Sequence, residues 1–316
     1  MQFETLFLDK TAQLKFAMLR ALSNSAARSF TIADLSDKVR LSYQRTYNLF
    51  QELLDDFATL TSQSPATLRK AAMSGHPPVT LDAYRLYLLH NAIAFEFFDY
   101  LVQGHQPNTD RFCREHFVSR STLSRKTSPL RRFLMGYGLK LATTSATLTG
   151  GEAQIRLCLL AIYWHATHGS TWPFIAIDHG ELIQQVAALP KQHDPLTHQR
   201  LMYLLAICRL RIAQDQHLNS SPPSQLEAPG YLPAKSFPQL SNTQLAAENQ
   251  FIAWYQADTF RFAPTSLPAP LQAATPIASK VTTGILSCLA NCDEPGLDRL
   301  ATQPTFRQNL LRATIN

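Results

Sequence analysis

The chain has 316 residues, 45% of them hydrophobic and 16% charged, with a net charge of +6. That is enough apolar material for two or three small cores. No stretch approaches the roughly 18 consecutive apolar residues of a membrane span. The N-terminus MQFETLFLDK, with two acids and no long apolar core, does not read as a signal peptide. These features exclude a membrane partner and lead to the expectation of a cytoplasmic protein.

The five cysteines, at 113, 158, 208, 288 and 292, form no CxxC pair, and an odd count scattered through apolar segments argues against a disulfide framework. Cys288 and Cys292 share a helical spacing but have no neighbouring histidines, so no metal site is expected there. Nor is catalysis expected. The chain has no GxSxG, P-loop, HExxH or GxGxxG motif. Its acids show no isolated acid–base couple, and the Gly150-Gly151 pair reads as the end of a β-hairpin. No cofactor is implied.

In chain order, segment 11–27 places Leu14, Ala17, Met18, Ala21 and Leu22 at amphipathic helix spacing. A helix over 31–38, a tight turn at Val39–Leu41 and a second helix capped by Ser42 and running to Asp55 come next. Ile32, Leu35, Val39, Leu41, Tyr47, Leu49, Phe50, Leu53 and Leu54 supply their shared apolar side. Two helices across a tight turn, the second beginning in polar residues, form the helix–turn–helix arrangement whose second helix can enter a major groove. Residues 62–75 are polar and predict a loop or a poorly formed wing. One long helix over 81–103 is then predicted, with Tyr84, Leu88, Ala92, Phe95, Phe98 and Leu101 in period.

The first pattern returns with Thr109 as helix cap, a helix to His116, a turn at Phe117–Val118, Ser119 as the next cap and a helix through Met135. The run LKLATTSATLTG then predicts a β-hairpin wing, with Lys140, Thr143 and Thr144 facing outward. The order of elements in 11–55 is thus repeated in 81–135, which points to a duplicated unit. Helices are expected through 152–217, a Pro/Ser-rich linker over 219–240, and helices at 242–258, 279–292 and 305–313.

Residues 111–140 carry eight basic side chains (Arg111, Arg114, Arg120, Arg125, Lys126, Arg131, Arg132, Lys140) against one acid, Glu115, while the rest of the chain is close to neutral. A basic patch laid over a helix–turn–helix pattern is the electrostatic footprint of a phosphate-docking surface, and points to double-stranded DNA. Arg120, Arg125, Lys126, Arg131 and Arg132 are the phosphate-pairing candidates. Ser119 caps the second helix, and Ser121, Thr122 and Ser124 are short enough to approach base edges. Arg125 suits guanine, and Lys140 the backbone beside the wing. In the first unit the matching exposed set is Ser42, Tyr43, Gln44, Arg45 and Asn48, with Gln44 and Asn48 one turn apart and of the amide type suited to adenine. A charged helix face is also what solvation alone produces.

Taken together, FVSRSTLSRKTSPLRRFL, the adjoining GLKLATTSATLTGGEAQIRLCLLAIYW and the later TWPF resemble the Mga-type regulators of Gram-positive bacteria, which include the anthrax toxin activator. The similarity covers about residues 10–175 and is most specific from Ser119 through Arg156, a Ser-x-Ser-Thr helix leading into a wing that ends Leu-Thr-Gly-Gly-Glu. The resemblance implies two winged-helix domains, then sugar-phosphotransferase regulation domains phosphorylated on histidine, then a dimerising EIIB-like domain. This chain is too short for that whole plan, and its region toward the C-terminus is expected to be incomplete or degenerate. His165, His168, His179, His193, His198 and His217 lie in the regulatory region, but none matches the family motif closely enough to carry a phosphate assignment.

The expected architecture is therefore mainly α: tandem winged helix–turn–helix domains at 1–75 and 76–150, followed by an all-helical, PRD-like region at 151–316. The implied function is a transcription regulator that binds promoter DNA, is homodimeric, and has phosphotransferase-system proteins as partners. The alternatives are a protein-interaction module, since winged helices also serve as docking surfaces, or a truncated relative that competes with full-length regulators.

Overall fold

The computed structural model describes residues 3–23, 30–104, 106–187, 189, 195–219 and 230–258. The chain divides into two compact units, Met1–Ile252 and Ala253–Asn316. Of the second unit only residues 253–258, the end of one helix, are described. The helices expected at 279–292 and 305–313, with Cys288 and Cys292, lie outside the described residues, as do His193 and residues 220–229 of the expected linker.

The first unit is mainly helical. Its N-terminal part comprises α1 (Glu4–Phe7), α2 (Lys10–Ser23), α3 (Ile32–Val39), α4 (Tyr43–Thr61) and α5 (Pro65–Met73). Helix α2 packs on both α3 and α4, so its buried face is wider than a single stripe. Phe16, Met18, Leu19 and Leu22 are buried, whereas Ala17, expected inside, is exposed and Leu14 and Ala21 are half-buried. Helix α3 starts in a capping box: the Asp34 amide donates to Thr31 Oγ1 (3.2 Å) and the Thr31 amide to the Asp34 carboxylate (2.8 Å). Helix α4 continues beyond Asp55 because Phe57, fully buried, extends the stripe of Leu53 and Leu54 by another turn. The segment expected as a loop or wing, 62–75, is instead helix α5. Ser64 caps it by accepting from the Thr67 amide, Pro65 occupies the first turn, and Leu68 and Ala72 are buried as it packs on α4.

The single helix expected over 81–103 is two, α6 (Leu81–His90) and α7 (Ile93–Gln103). The Asn91 side-chain amide donates to the Tyr87 carbonyl (2.8 Å), which also accepts from the Asn91 backbone amide, and Ala92 turns extended. Both halves keep an inward apolar face, so the period runs through the break unmarked. Phe7 of α1 packs edge-on against Phe95 of α7 at 5.3 Å. Asp56 accepts from Lys15, Tyr84 and Tyr87, tying α2, α4 and α6 together.

Asp99 on α7 accepts from Tyr163 Oη (2.7 Å) and from the Gln103 side-chain amide (2.6 Å). Burial pushes its carboxyl above the ordinary value, and these donors only partly offset that. A carboxyl raised on folding costs stability once the pH exceeds its unfolded value. Asp99→Asn, whose oxygen keeps both donors, is therefore expected to raise the melting temperature at neutral pH, with the gain vanishing toward pH ~4. Paired thermal melts across that range check it.

Next come α8 (Thr109–Glu115), α9 (Arg120–Lys126) and α10 (Ser128–Met135), followed by the antiparallel hairpin of β1 (Lys140–Ala142) and β2 (Thr147–Thr149). The helix expected from Ser119 through Met135 is broken at Thr127, where Pro129 enters the first turn of α10. The cap of α8 is Asn108, accepting from the Arg111 amide, not Thr109. Thr109 instead donates its hydroxyl to the Thr143 carbonyl (2.6 Å), pinning the hairpin turn to α8. Thr143 is consequently buried, against the expectation that it faces outward, while Thr144 and Lys140 are exposed. Leu141 and Leu148 pair across the hairpin on its inner face. Gly150, at φ 151°, closes the wing so tightly on Leu139 that a side chain there would overlap it.

Helices α11 (Glu152–Thr167), α12 (His179–Ala187), α13 (Pro195–Ala213) and α14 (Asn242–Asp258) complete the described chain. Helix α11 lies against α6, β2 and α13. Its Arg156 is fully buried and bonded to Glu248 of α14, to Glu152 one turn earlier and to the Gln216 carbonyl, while Arg211 of α13 also grips Glu152. Residues 231–237, expected as linker, bury Tyr231, Leu232 and Phe237 and include a short 3-10 turn. No helix among the described residues is long and apolar enough to cross a membrane.

Candidate nucleic-acid interface

The two helix–turn–helix segments match position for position. Each first helix starts at a side-chain cap, Thr31 or Asn108, that accepts from the amide three residues on. Each turn passes through one left-handed residue, Arg40 (φ 54°) or Phe117 (φ 53°). The amide after it, Leu41 or Val118, donates five residues back, to the carbonyl of Ser36 or Cys113. A left-handed residue other than glycine costs about 1–2 kcal/mol, so both turns carry some strain. Ser42 and Ser119 then precede α4 and α9, and Thr46 and Leu123 are the fully buried residues that seat these helices. The two segments are thus alike in these backbone details, and among the described residues a hairpin follows only the second.

Ser119 is a working cap: its Oγ accepts from the Thr122 amide (3.1 Å) and lies 2.8 Å from Ser121 Oγ and 3.0 Å from Thr122 Oγ1. Ser42 makes no such cap bond. Ser121 is exposed, whereas Thr122 and Ser124 are half-buried. Arg131 of α10 turns toward α9 and donates to the Ser124 carbonyl (3.1 Å) and hydroxyl (3.2 Å). It therefore props up the C-terminal turn of α9 instead of projecting into solvent.

The eight basic side chains of 111–140 divide clearly. Arg120 forms a two-pronged pair with Asp110 on α8, whose carboxyl is held below the usual range mainly by that bond. Arg111 pairs with Glu115 (2.8 Å). Lys126, half-buried, pairs with Asp9 (3.0 Å) at the start of α2. Arg114, Arg125, Arg132 and Lys140 are exposed and make no side-chain hydrogen bond among the described residues. Solvent screens an exposed pair such as Arg120–Asp110, so an arriving phosphate can displace the carboxylate. Of the two basic residues left out of the chosen positions, Arg111 is paired with Glu115 and Arg114 on α8 is exposed. The dense charge of its own segment was the signal for it.

On the first unit Ser42, Tyr43, Gln44, Arg45 and Asn48 are all exposed, as expected. The Gln44 side-chain amide donates to Asn48 Oδ1 (3.2 Å), so the two amides sit together on one face of α4. Among the histidines, His168 ends α11 in the left-handed region with Nδ1 against Asp82 Oδ1 (2.9 Å), and His179 stacks on Trp172. Burial pushes half-buried His165 below its ordinary pKa, and neighbouring positive charge pushes it further the same way.

Residues 79–163, which span α6 through most of α11, match the family model described as the Mga helix-turn-helix domain. The match supports an Mga-type regulator. No curated protein matches the chain.

Proposed function

We propose, with an Mga helix-turn-helix domain at residues 79–163 as premise, that this chain is a cytoplasmic transcription regulator that lays α9 in the major groove of promoter DNA. The observation that carries this reading is the set of four cations unpaired among the described residues, Arg114, Arg125, Arg132 and Lys140, distributed over α8, α9, α10 and the wing. Arg120 and Lys126 join them once phosphate oxygens replace Asp110 and Asp9. Arg125, exposed on α9, is the candidate base reader. Residues 1–75 and 76–150 act as tandem DNA-binding domains, with Ser42, Tyr43, Gln44, Arg45 and Asn48 as the second contact set. The remainder is a regulatory, PRD-like region that supports a homodimer and receives phosphotransferase-system signals.

A second reading is favoured by the first unit alone. It carries helix α5 where a wing was expected, and its two groove-facing amides bond to each other. In that reading α4 docks a protein while only α9 touches DNA.

Fluorescence-anisotropy titration of the purified protein against random-sequence duplex, at several salt concentrations, tests the DNA reading. The four unpaired cations alone imply a log–log slope of about −3.6 and a loss of about a hundredfold in affinity between roughly 50 and 200 mM salt, and Arg120 and Lys126 steepen it. Absence of binding even at low salt would sink both readings of α9 and leave the exposed helices of both segments as surfaces for a protein partner.

A further inference from the structure

The recognition elements include one side chain that phosphate docking does not use. Phe117, in the turn immediately before α9, is 94% exposed. It stands in the left-handed region at φ 53°, where glycine would be unstrained. Its ring stacks on no other ring among the described residues, although Phe112 and His116, its near neighbours, stack on each other at 4.0 Å. A phenyl ring held out in water at a strained position contributes nothing to the free protein's core.

Its surroundings are basic and polar. Ser119, Arg120 and Ser121 lie just after it in the chain, and Arg114 precedes it on α8; all four are exposed. The matched positions of the first unit sharpen the point. The left-handed residue there is Arg40, and the residue that opens α4 is Tyr43, 58% exposed, where α9 opens with Arg120. The approach to each recognition helix therefore shows one arginine and one aromatic ring, three residues apart, in exchanged order. A cation there suits the phosphate backbone. The apolar feature that duplex DNA offers beside it in the major groove is the thymine 5-methyl group.

We propose that Phe117 is a specificity-determining residue that covers thymine methyl groups in the major groove at the N-terminal end of α9, an inference that rests on the DNA reading above. Burying one methyl against an apolar ring is worth about fourfold in affinity.

The test uses two duplexes that differ only in those methyls: alternating dA and dT, and the same sequence with deoxyuridine in place of thymidine. The alternating sequence offers only two distinct registers, so no operator needs to be known. The full-length protein is expected to bind the thymine duplex about fourfold more tightly per methyl covered. Phe117→Gly is expected to lower that preference by the same factor, and to melt no lower than the wild type, because glycine relieves the turn. Equal binding of the two duplexes by the wild type, or a preference that survives unchanged in Phe117→Gly, overturns the proposal. A wild type that binds neither duplex at low salt overturns the DNA reading and this inference with it.

Discussion

Replacing Glu248 by leucine is expected to destabilise the unit spanning Met1–Ile252 by about 3–5 kcal/mol, because it strips a buried cation of its principal counter-charge. Arg156 and Glu248 are both fully buried, and the carboxylate also accepts from the Leu218 amide (2.8 Å). After the substitution the guanidinium keeps only Glu152, which it shares with Arg211, and the Gln216 carbonyl. Leucine fills part of the volume but satisfies neither the guanidinium nor the orphaned amide. For a unit of this size the loss corresponds to a fall in melting temperature on the order of 10 °C, read by circular dichroism. The double variant Arg156→Met with Glu248→Leu is expected to recover much of it, since an apolar pair needs no compensation. A single-variant loss under about 1 kcal/mol would mean that water, not low dielectric, surrounds the pair.

The consequence reaches the interface, because Glu152 begins the helix that leaves the wing directly. Arg211 holds that acid and Arg156, bonded to it, reaches Glu248, so α11 is locked to α13 and α14 near the point where the hairpin ends. The Leu-Thr-Gly-Gly-Glu…Arg run that marks the family resemblance thus has a structural reading: Gly150 lets the wing close on Leu139, and Glu152 and Arg156 anchor α11 behind it.

Local signals were legible in the sequence, and distant pairings were not. Ser119, Leu123 and the alternating hairpin residues announce the cap, the seat and the hairpin because each acts within a few residues of itself. The two acids that cover the basic patch escaped for opposite reasons. Asp110 sits just outside the charged segment and reaches Arg120 only because α8 and α9 fold together, whereas Asp9 meets Lys126 from 117 residues away in the chain. Arg131 read as a phosphate contact by its charge alone, and only the packing of α10 on α9 directs it to the Ser124 carbonyl. Helix α5 was readable from Ser64-Pro65, a cap followed by a first-turn proline, but the polar residues around it resembled a loop. The break at Asn91 leaves no periodic trace, since α6 and α7 both turn an apolar face inward.

Arg125→Glu is expected to weaken binding to random-sequence duplex by fifty- to a hundredfold at about 0.1 M salt. The substitution removes one cation and adds one anion, a change of about two contacts, so the log–log salt slope should fall by about 1.8. Geometry selects this position over its neighbour. Arg125 is exposed and makes no side-chain hydrogen bond among the described residues, so reversing it leaves the fold's contacts intact, and surface changes of this kind stay within about 0.5 kcal/mol. Lys126→Glu would set a second carboxylate against Asp9, 3.0 Å from the present ammonium, and would mix a folding penalty into the binding measurement. Anisotropy titrations of wild type and Arg125→Glu at matched salt, with melting curves alongside, test whether α9 meets DNA. A steep loss with an unchanged melt supports α9 as the groove-docking helix. Unchanged affinity and slope would show that phosphates do not meet this face, and the exposed helices of both units would then be read as surfaces for a protein partner.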